Sequence, residues 1–437
     1  MNHDNILAHL QMCFDCLAPN NTYSCTIPSG QTSCFVSLVS GTGGVKSVTF
    51  TGNNVSPTPA TEDATVHGIW AYFAGATSST ADYLKVYALD VTNGKLSYLK
   101  DTNFPGDASG IGANAMMFNQ DSKTLYVGLS YNSVPSTRVY TVDPVTSDLT
   151  EIQSLTSSTA TQWISVGNNV MVLLAGGVLY SYTVDQSDAK LTEVGYKNLN
   201  TEGYDRGCGS VSVSPDKQYL YLTCATAPNL PNFTSYVVAY PIDSTTAVIG
   251  SQASYTFANS AYNVANYKMA QATVVSPDGS KLYVTSNDQK IYAYDITSGA
   301  LSNPVDTTTA IGGVTGFANA RLLVKTPDGN AIELIRAITS GSYSNSLLTI
   351  GIQTYSTPLT LVNNLGTNPA NGAIFDPSGK YFYTASFVAG NLSNNQIFQY
   401  GYNSNTGAFA PLTPESISTN FSSFIRPAIA ISGTGNY

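Results

Sequence analysis

The stretch Val274-Val275-Ser276-Pro277-Asp278-Gly279-Ser280-Lys281-Leu282-Tyr283-Val284, followed by Lys290-Ile291-Tyr292-Ala293-Tyr294-Asp295-Ile296-Thr297-Ser298-Gly299-Ala300-Leu301, decides the fold. Proline presets φ for the second position of a tight turn, and Asp and Gly tolerate the positions after it. Ser276 to Gly279 therefore reads as a hairpin turn between two strands. Ile291 to Tyr294 alternates with period two, as a third strand does. A second turn from Asp295 delivers Leu301 into a short fourth strand.

The same unit recurs along most of the 437 residues. Its first turn reappears at Asn119, Gly167, Ser214, Ser276, Thr326, Asp376 and Ser432, at spacings of 48, 47, 62, 50, 50 and 56 residues. Apolar runs such as Ala115 to Phe118 precede these turns. Aromatic strands such as Leu125-Tyr126-Val127, Leu220-Tyr221-Leu222 and Phe382-Tyr383-Thr384 follow them. The second turn recurs at Asp90, Asp143 and Asp295, each ending on a leucine. A period near 50 built from four short antiparallel strands predicts the blades of a β-propeller. Residues 68 to 100 supply a second, third and fourth strand without a first. Pro427 to Ile431 is a first strand with no successors. The C-terminal strand is therefore expected to complete the N-terminal blade and remove exposed sheet edges. The expectation is an all-β, seven-bladed propeller over residues 65–437, preceded by a cysteine-containing extension over residues 1–64.

Charged residues make up only 10% of the chain, against about 25% in ordinary soluble proteins. The net charge of −9 argues against a nucleic-acid partner. No run of 18 apolar residues occurs, so no transmembrane segment is expected. The start, Met1-Asn2-His3-Asp4, lacks the features of a signal peptide. The polar, Ser-, Thr-, Asn- and Tyr-rich composition nevertheless suits an extracellular, cell-surface or periplasmic protein. Sequons at Asn20, Asn54, Asn232, Asn391 and Asn420 are as frequent as chance allows in so Asn-rich a chain.

Of the six cysteines, Cys208 and Cys224 flank the hairpin turning at Ser214. Residues whose numbers sum to about 432 face each other across that hairpin, as these two do. Either a cross-strand disulfide or two small buried thiols fits. Cys13, Cys16, Cys25 and Cys34 have the spacing C-x2-C-x8-C-x8-C. Disulfides are the favoured reading, and zinc, with His3 or His9, is the alternative. No metal site is expected.

The Ser-Pro-Asp-Gly turn, the Leu-Tyr-Val strand and the Tyr-Asp-x-x-Ser/Thr-Gly-x-Leu turn together resemble the lactonase-type seven-bladed propellers. That group includes propeller-type 6-phosphogluconolactonase, carboxymuconate-lactonising enzymes and the YVTN-repeat surface proteins. The resemblance covers about residues 65 to 437, and its motifs are turn and packing residues shared with non-enzymes. It implies histidines five residues before the serine of the first turn, near the start of each blade's first strand. Counting back five gives Asn114, Gln162, Gly209, Gln271, Arg321, Asn371 and Pro427. None is histidine, and the chain's three histidines, His3, His9 and His67, all precede the first complete blade.

First strands line a propeller's central channel, so Asn114, Gln162, Gln271, Arg321 and Asn371 would ring one channel mouth. Amides donate and accept hydrogen bonds, and Arg grips a carboxylate with two parallel bonds. Such a ring suits a polar or anionic small molecule, or a glycan. The same side chains would equally serve to satisfy buried backbone groups. Arg206 and Arg426 fall just before first strands, at the same face, and would add positive charge. Glu202, Asp205 and Asp107 are candidate acid–base groups, and each also fits an ordinary loop carboxylate. The tyrosine columns (Tyr126, Tyr221, Tyr283, Tyr383; Tyr87, Tyr140, Tyr292, Tyr400) suit packing between blades. Asp90, Asp143, Asp185 and Asp295 suit turns rather than metal ligation.

No Walker loop, Gly-x-Gly-x-x-Gly or Gly-x-Ser-x-Gly element occurs, so no cofactor is expected. The leading expectation is a secreted or surface-exposed module that binds a ligand, or a protein partner through its loops or N-terminal extension. The segment Thr226 to Ser235 is the loop candidate. The alternatives are a lactone hydrolase or isomerase acting on an acidic sugar-type substrate, and a structural subunit of an extracellular assembly.

Overall fold

The computed structural model describes residues 44–50, 60–66, 68–74, 84–105, 112–119, 122–130, 136–156, 160–167, 169–204, 208–226, 232–261, 270–286, 290–307, 320–326, 331–336, 347–351, 360–364, 372–385, 396–419 and 428–433. The backbone alone is described at 44–50, 60–66, 112, 232–233, 258–261, 320–325, 331–336, 347–351 and 360–364. Gly44–Phe50 and Ala60–Val66 pair as a hairpin of their own. All the other strands fall into seven sheets among the described residues, each built on four antiparallel strands.

Those sheets are the blades of a β-propeller. The innermost strands, from blade one to blade seven, are Ala428–Ile431, Gly112–Phe118, Ala160–Gly167, Cys208–Val213, Ala270–Val275, Ala320–Lys325 and Gly372–Phe375. Each lies against the next, and Gly372–Phe375 lies against Ala428–Ile431, so the inner strands form a closed cycle. Helices are absent from the described residues, and none of those residues offers a helix long and apolar enough to cross a membrane.

The core lies in the seams between blades, as sheets stacked face to face require. Val166, Val172 and Leu174 of blade three pack with Leu220, Leu222 and Val238 of blade four. Tyr221 and Val237 of blade four pack with Leu282, Val284 and Tyr294 of blade five. In blades four, five and seven, the residue that opens the first turn caps with its side chain the hairpin it starts. Ser214 Oγ accepts from the Tyr219 amide at 2.9 Å, Ser276 Oγ from Lys281 at 2.9 Å, and Asp376 Oδ1 from Tyr381 at 2.7 Å. In all three the capping residue's own amide donates to the same partner's carbonyl.

Blade one reproduces this turn across the two ends of the chain. Ser432 Oγ accepts from the Trp70 amide at 2.8 Å, and the Ser432 amide donates to the Trp70 carbonyl at 2.9 Å. Ile429 pairs with Phe73 and Ile431 with Ala71. The ring is thus sealed by a hairpin whose connecting residues are missing, held by the contacts an intact hairpin uses.

Tyrosines stitch four of the blades to the next. The second turn of a blade places a residue in the left-handed region: Gly94, Ser147, Ala189 and Gly299 all have φ between 59° and 80°. Its carbonyl is taken by a second-strand tyrosine of the preceding blade. Tyr72 donates to Ser147 at 2.8 Å, Tyr126 to Ala189 at 3.0 Å, Tyr221 to Gly299 at 3.3 Å and Tyr383 to Gly94 at 2.6 Å. The last bond spans the closing seam, and burial pushes the Tyr383 hydroxyl well above the ordinary tyrosine range. Tyr383→Phe removes that donor and strands a buried carbonyl. It should cost about 1–2 kcal/mol, read as a lower urea midpoint at unchanged slope; an unchanged midpoint would refute the stitching role.

Asp90, Asp143 and Asp185 cap their own turns. Asp143 accepts from the Val145 and Thr146 amides at 2.8 Å, and these bonds hold its carboxyl below the usual range. The hydroxyl of Ser187 does most to lower Asp185. One sequence expectation is corrected. Thr226 to Ser235 is not a loop throughout, because Thr226 pairs with Thr234 and Ala225 with Ser235. Threonine and tyrosine favour strands, and the two strands extend into the insert from both sides.

Candidate functional site

The inner strands carry a feature that repeats from blade to blade. In blade two Ala113 pairs with Leu129 and Ala115 with Gly128, which leaves Asn114 as an extra residue. In blade four the extra residue is Gly209, and in blade six it is Arg321. In blade five Gln271 and Ala272 share the interval between the Ala270–Ser286 and Thr273–Val284 pairs. These are β-bulges, which bend a strand, re-aim a side chain and cluster beside functional sites. They fall at one level of the inner strands, at the end opposite the first turns. Asn114 and Gln271 are partly exposed there.

Blade three departs from the column by one residue. Its extra residue is Thr161, because Ala160 pairs with Ala175 and Gln162 with Leu174. A one-residue slip turns a side chain to the other face of a strand. Gln162 accordingly faces blade four, where its amide donates to the Val211 carbonyl at 2.9 Å and accepts from the Val211 amide at 3.0 Å. It clamps two blades. Gln153 does the same for the Leu191 backbone, at 2.7 Å in each direction. Gln399, fully buried, joins the Leu96 amide to the Pro414 carbonyl at 2.8 and 3.0 Å.

Cys208 and Cys224 form a disulfide with Cα atoms 4.1 Å apart. It bridges the pair immediately before the Gly209 bulge, so a covalent tie fixes blade four at the level of the column. On the chain's approach to it, Tyr240 donates to the Glu202 carboxylate, and Tyr204 donates to Gln252 Oε1 at 2.9 Å. Burial, then the hydrogen bond to Glu202, raises the Tyr240 hydroxyl far above its ordinary value. Glu202 is committed to the seam between blades three and four.

Of the arginines, Arg138 is paired with Glu151 at 2.6 Å on the third and fourth strands of blade two. Arg321 is placed by its backbone at the blade-six bulge, and Arg336 lies on the second strand of that blade. Arg206, Asn371 and Arg426 lie outside the described residues, as do Asp107, Asp205, His3, His9, His67, Cys13, Cys16, Cys25 and Cys34. The structure thus aligns Asn114, Gln271 and Arg321 along the ring and turns Gln162 away. The bulges and the glutamine clamps leave no pattern in the strand sequences. The one trace is arithmetic: the cysteines sum to 432, whereas Ser210–Thr223 and Val211–Leu222 sum to 433.

No protein-family model matches the chain, and no curated protein matches it in sequence. Solved structures do match. The periplasmic gluconolactonase of Pseudomonas aeruginosa is 16% identical, with a TM-score of 0.58 over 83% of this chain and 99% of the other. A candidate 6-phosphogluconolactonase from Bacteroides fragilis is 14% identical, with a TM-score of 0.59 over 84% and 98%. A second candidate, from Bacteroides uniformis, is 15% identical, with a TM-score of 0.58 over 83% and 99%. At such identities the likeness is one of fold: the chain has the β-propeller architecture found in these lactonase-type proteins.

Proposed function

We propose that this propeller hydrolyses or isomerises the lactone of an acidic sugar at the bulged end of its channel. The observation that carries this reading is the bulge column, which sets Asn114, Gln271 and Arg321 at corresponding positions on the inner strands of blades two, five and six. Arg321, with Arg206 and Arg426, would hold the substrate's anionic group; Asn114, Gln271 and Asn371 would bond its hydroxyls. A carboxylate near the rim would activate water, with Asp205 and Asp107 as the candidates left once Glu202 is committed to Tyr240. The fold shared with proteins described as gluconolactonases supports the substrate class by analogy alone. The disulfide supports an oxidising compartment, extracellular or periplasmic. We place the whole activity in residues 65–437 and none of it in residues 1–64.

Binding without turnover is the second reading. Asn114, Thr161 and Gln271, the described side chains at the bulges, include neither histidine nor carboxylate. A panel of sugar lactones separates the two. Turnover should appear for an anionic sugar lactone, and Arg321→Ala should lower its kcat/KM about 100-fold, roughly 2.7 kcal/mol of transition-state binding. Saturable binding of the hydrolysed sugar acid with no lactone turnover would establish the second reading instead.

A further inference from the structure

Each of the inner-strand bulges is closed by one cross-strand pair. The pairs are Ala113–Leu129 in blade two, Ala160–Ala175 in blade three, Cys208–Cys224 in blade four, Ala270–Ser286 in blade five and Ala320–Arg336 in blade six. In blades two to five the second-strand partner is buried: Leu129 is 1% exposed, Ala175 0%, Cys224 2% and Ser286 0%. The inner-strand partner is alanine in every pair but that of blade four. This layer of the propeller is therefore built from small or apolar groups. Blade six departs from it, with an arginine at the position that the four blades before it bury.

A second arginine stands beside the first. Ala320 directly precedes Arg321, the extra residue of the blade-six bulge. Paired residues of an antiparallel ladder have Cα atoms about 4.5–5.5 Å apart, and consecutive residues about 3.8 Å. Arg321 and Arg336 thus leave the backbone within about 9 Å of each other, a separation that two such long side chains span. Two of the chain's five arginines meet at this point.

The strands around it carry no acid to balance them. Ala270–Val275 and Lys281–Ser286 of blade five contain neither Asp nor Glu, and nor do Gly372–Phe375 and Tyr381–Ala385 of blade seven. The same holds for Ala320–Lys325, Leu347–Gly351 and Thr360–Asn364 of blade six. Glu333 shares a strand with Arg336. It stands three residues away, about 10 Å along the strand and at a position of the opposite face. Asp306, at this end of blade five, is bound by Lys290.

Like charges brought together away from water repel one another, and a buried charge without a partner is costly. An oxyanion between them relieves both penalties, and a planar guanidinium takes two oxygens with parallel bonds. We propose that Arg336 is the second cation of an anion site at the blade-six bulge, and that the pair selects head groups carrying two negative charges over those carrying one. This rests on the reading that Arg321 takes the ligand's anionic group, and it requires no turnover. Arg321 alone balances a single charge; Arg336 sets the specificity.

The test uses the full-length protein, with malonate as the dianionic probe and acetate as the monoanionic one, at equal ionic strength and at a pH where malonate carries both charges. Calorimetric titration should show malonate binding roughly tenfold more tightly than acetate or better. Arg336→Leu installs the residue of blade two. It should fold, melt no lower than the unaltered protein when neither probe is present, and lose the preference for malonate. Arg336→Lys keeps the charge without the fork and should bind malonate several-fold more weakly. Arg321→Ala should weaken both probes. Absence of lactone turnover with the malonate preference intact would remove the hydrolase reading and leave the anion site standing. Malonate binding no tighter than acetate, or equally tight in Arg336→Leu, would overturn the proposal. So would an Arg336→Leu protein that melts lower or fails to fold without either probe, because Arg336 would then hold the blade rather than a ligand.

Discussion

Deleting residues 428–437 is expected to abolish cooperative unfolding of the whole propeller. The deletion removes the inner strand of blade one and with it the ladder from Ala71↔Ile431 to Ala74↔Ala428. It also removes the Ser432 bonds to Trp70. The edge of Trp70–Ala74 would be left unpaired with apolar surface on both faces, a template for aggregation. Ala428 and Ala430 pack toward blade two, whereas Ile429 and Ile431 pack toward blade seven, so both seams of the blade open at once. A milder variant keeps the ring closed and measures one contact. Ile431 is fully buried, and Ile431→Ala should cost about 3 kcal/mol. Circular-dichroism melts and size-exclusion chromatography would check both. A truncated chain that stays monomeric and melts in one sharp transition would show that closure lies elsewhere.

The second large effect is expected at the disulfide. Cys208 and Cys224 close a loop with a sequence separation of 16, for which chain entropy predicts about 3 kcal/mol of stabilisation. Cys224 is buried against Tyr236 and Val238 in the seam of blades three and four, so the double variant Cys208→Ala with Cys224→Ala avoids burying a new hydroxyl. Urea unfolding should show that loss in the variant. Reductant should destabilise the unaltered protein by a similar amount and leave the variant unchanged. A variant within about 0.5 kcal/mol of the unaltered protein would mean that the hairpin and its seams hold the Gly209 bulge without the covalent tie.

The architecture was legible because it is written in local chemistry. Ser-Pro-Asp-Gly and its relatives encode turns whatever surrounds them, and alternating strands of Leu, Tyr and Val between such turns have few other uses. Pairing of the chain ends followed from counting strands, since an orphan first strand at Ile429 and an incomplete blade at Trp70 leave one solution without exposed edges. The facing cysteines were within reach of the same counting, although the match depends on a bulge that counting does not reveal. The site was legible only as a column of positions. Asn114 and Gln271 lie along it, while Gln162, of the same chemistry and at the same count, is turned to Val211 by a one-residue difference in where the strand bulges. Glu202, a candidate acid–base group in the sequence, is held by Tyr240.

The sequence by itself determined the four-stranded unit, its number and the closing of the ring, because turns and strand alternation are local, and an orphan first strand at one end of the chain matches a blade lacking one at the other. Only the tertiary structure decided which polar side chains lie along the channel and which clamp one blade to another. That choice depends on bulge register and on what the adjacent blade presents.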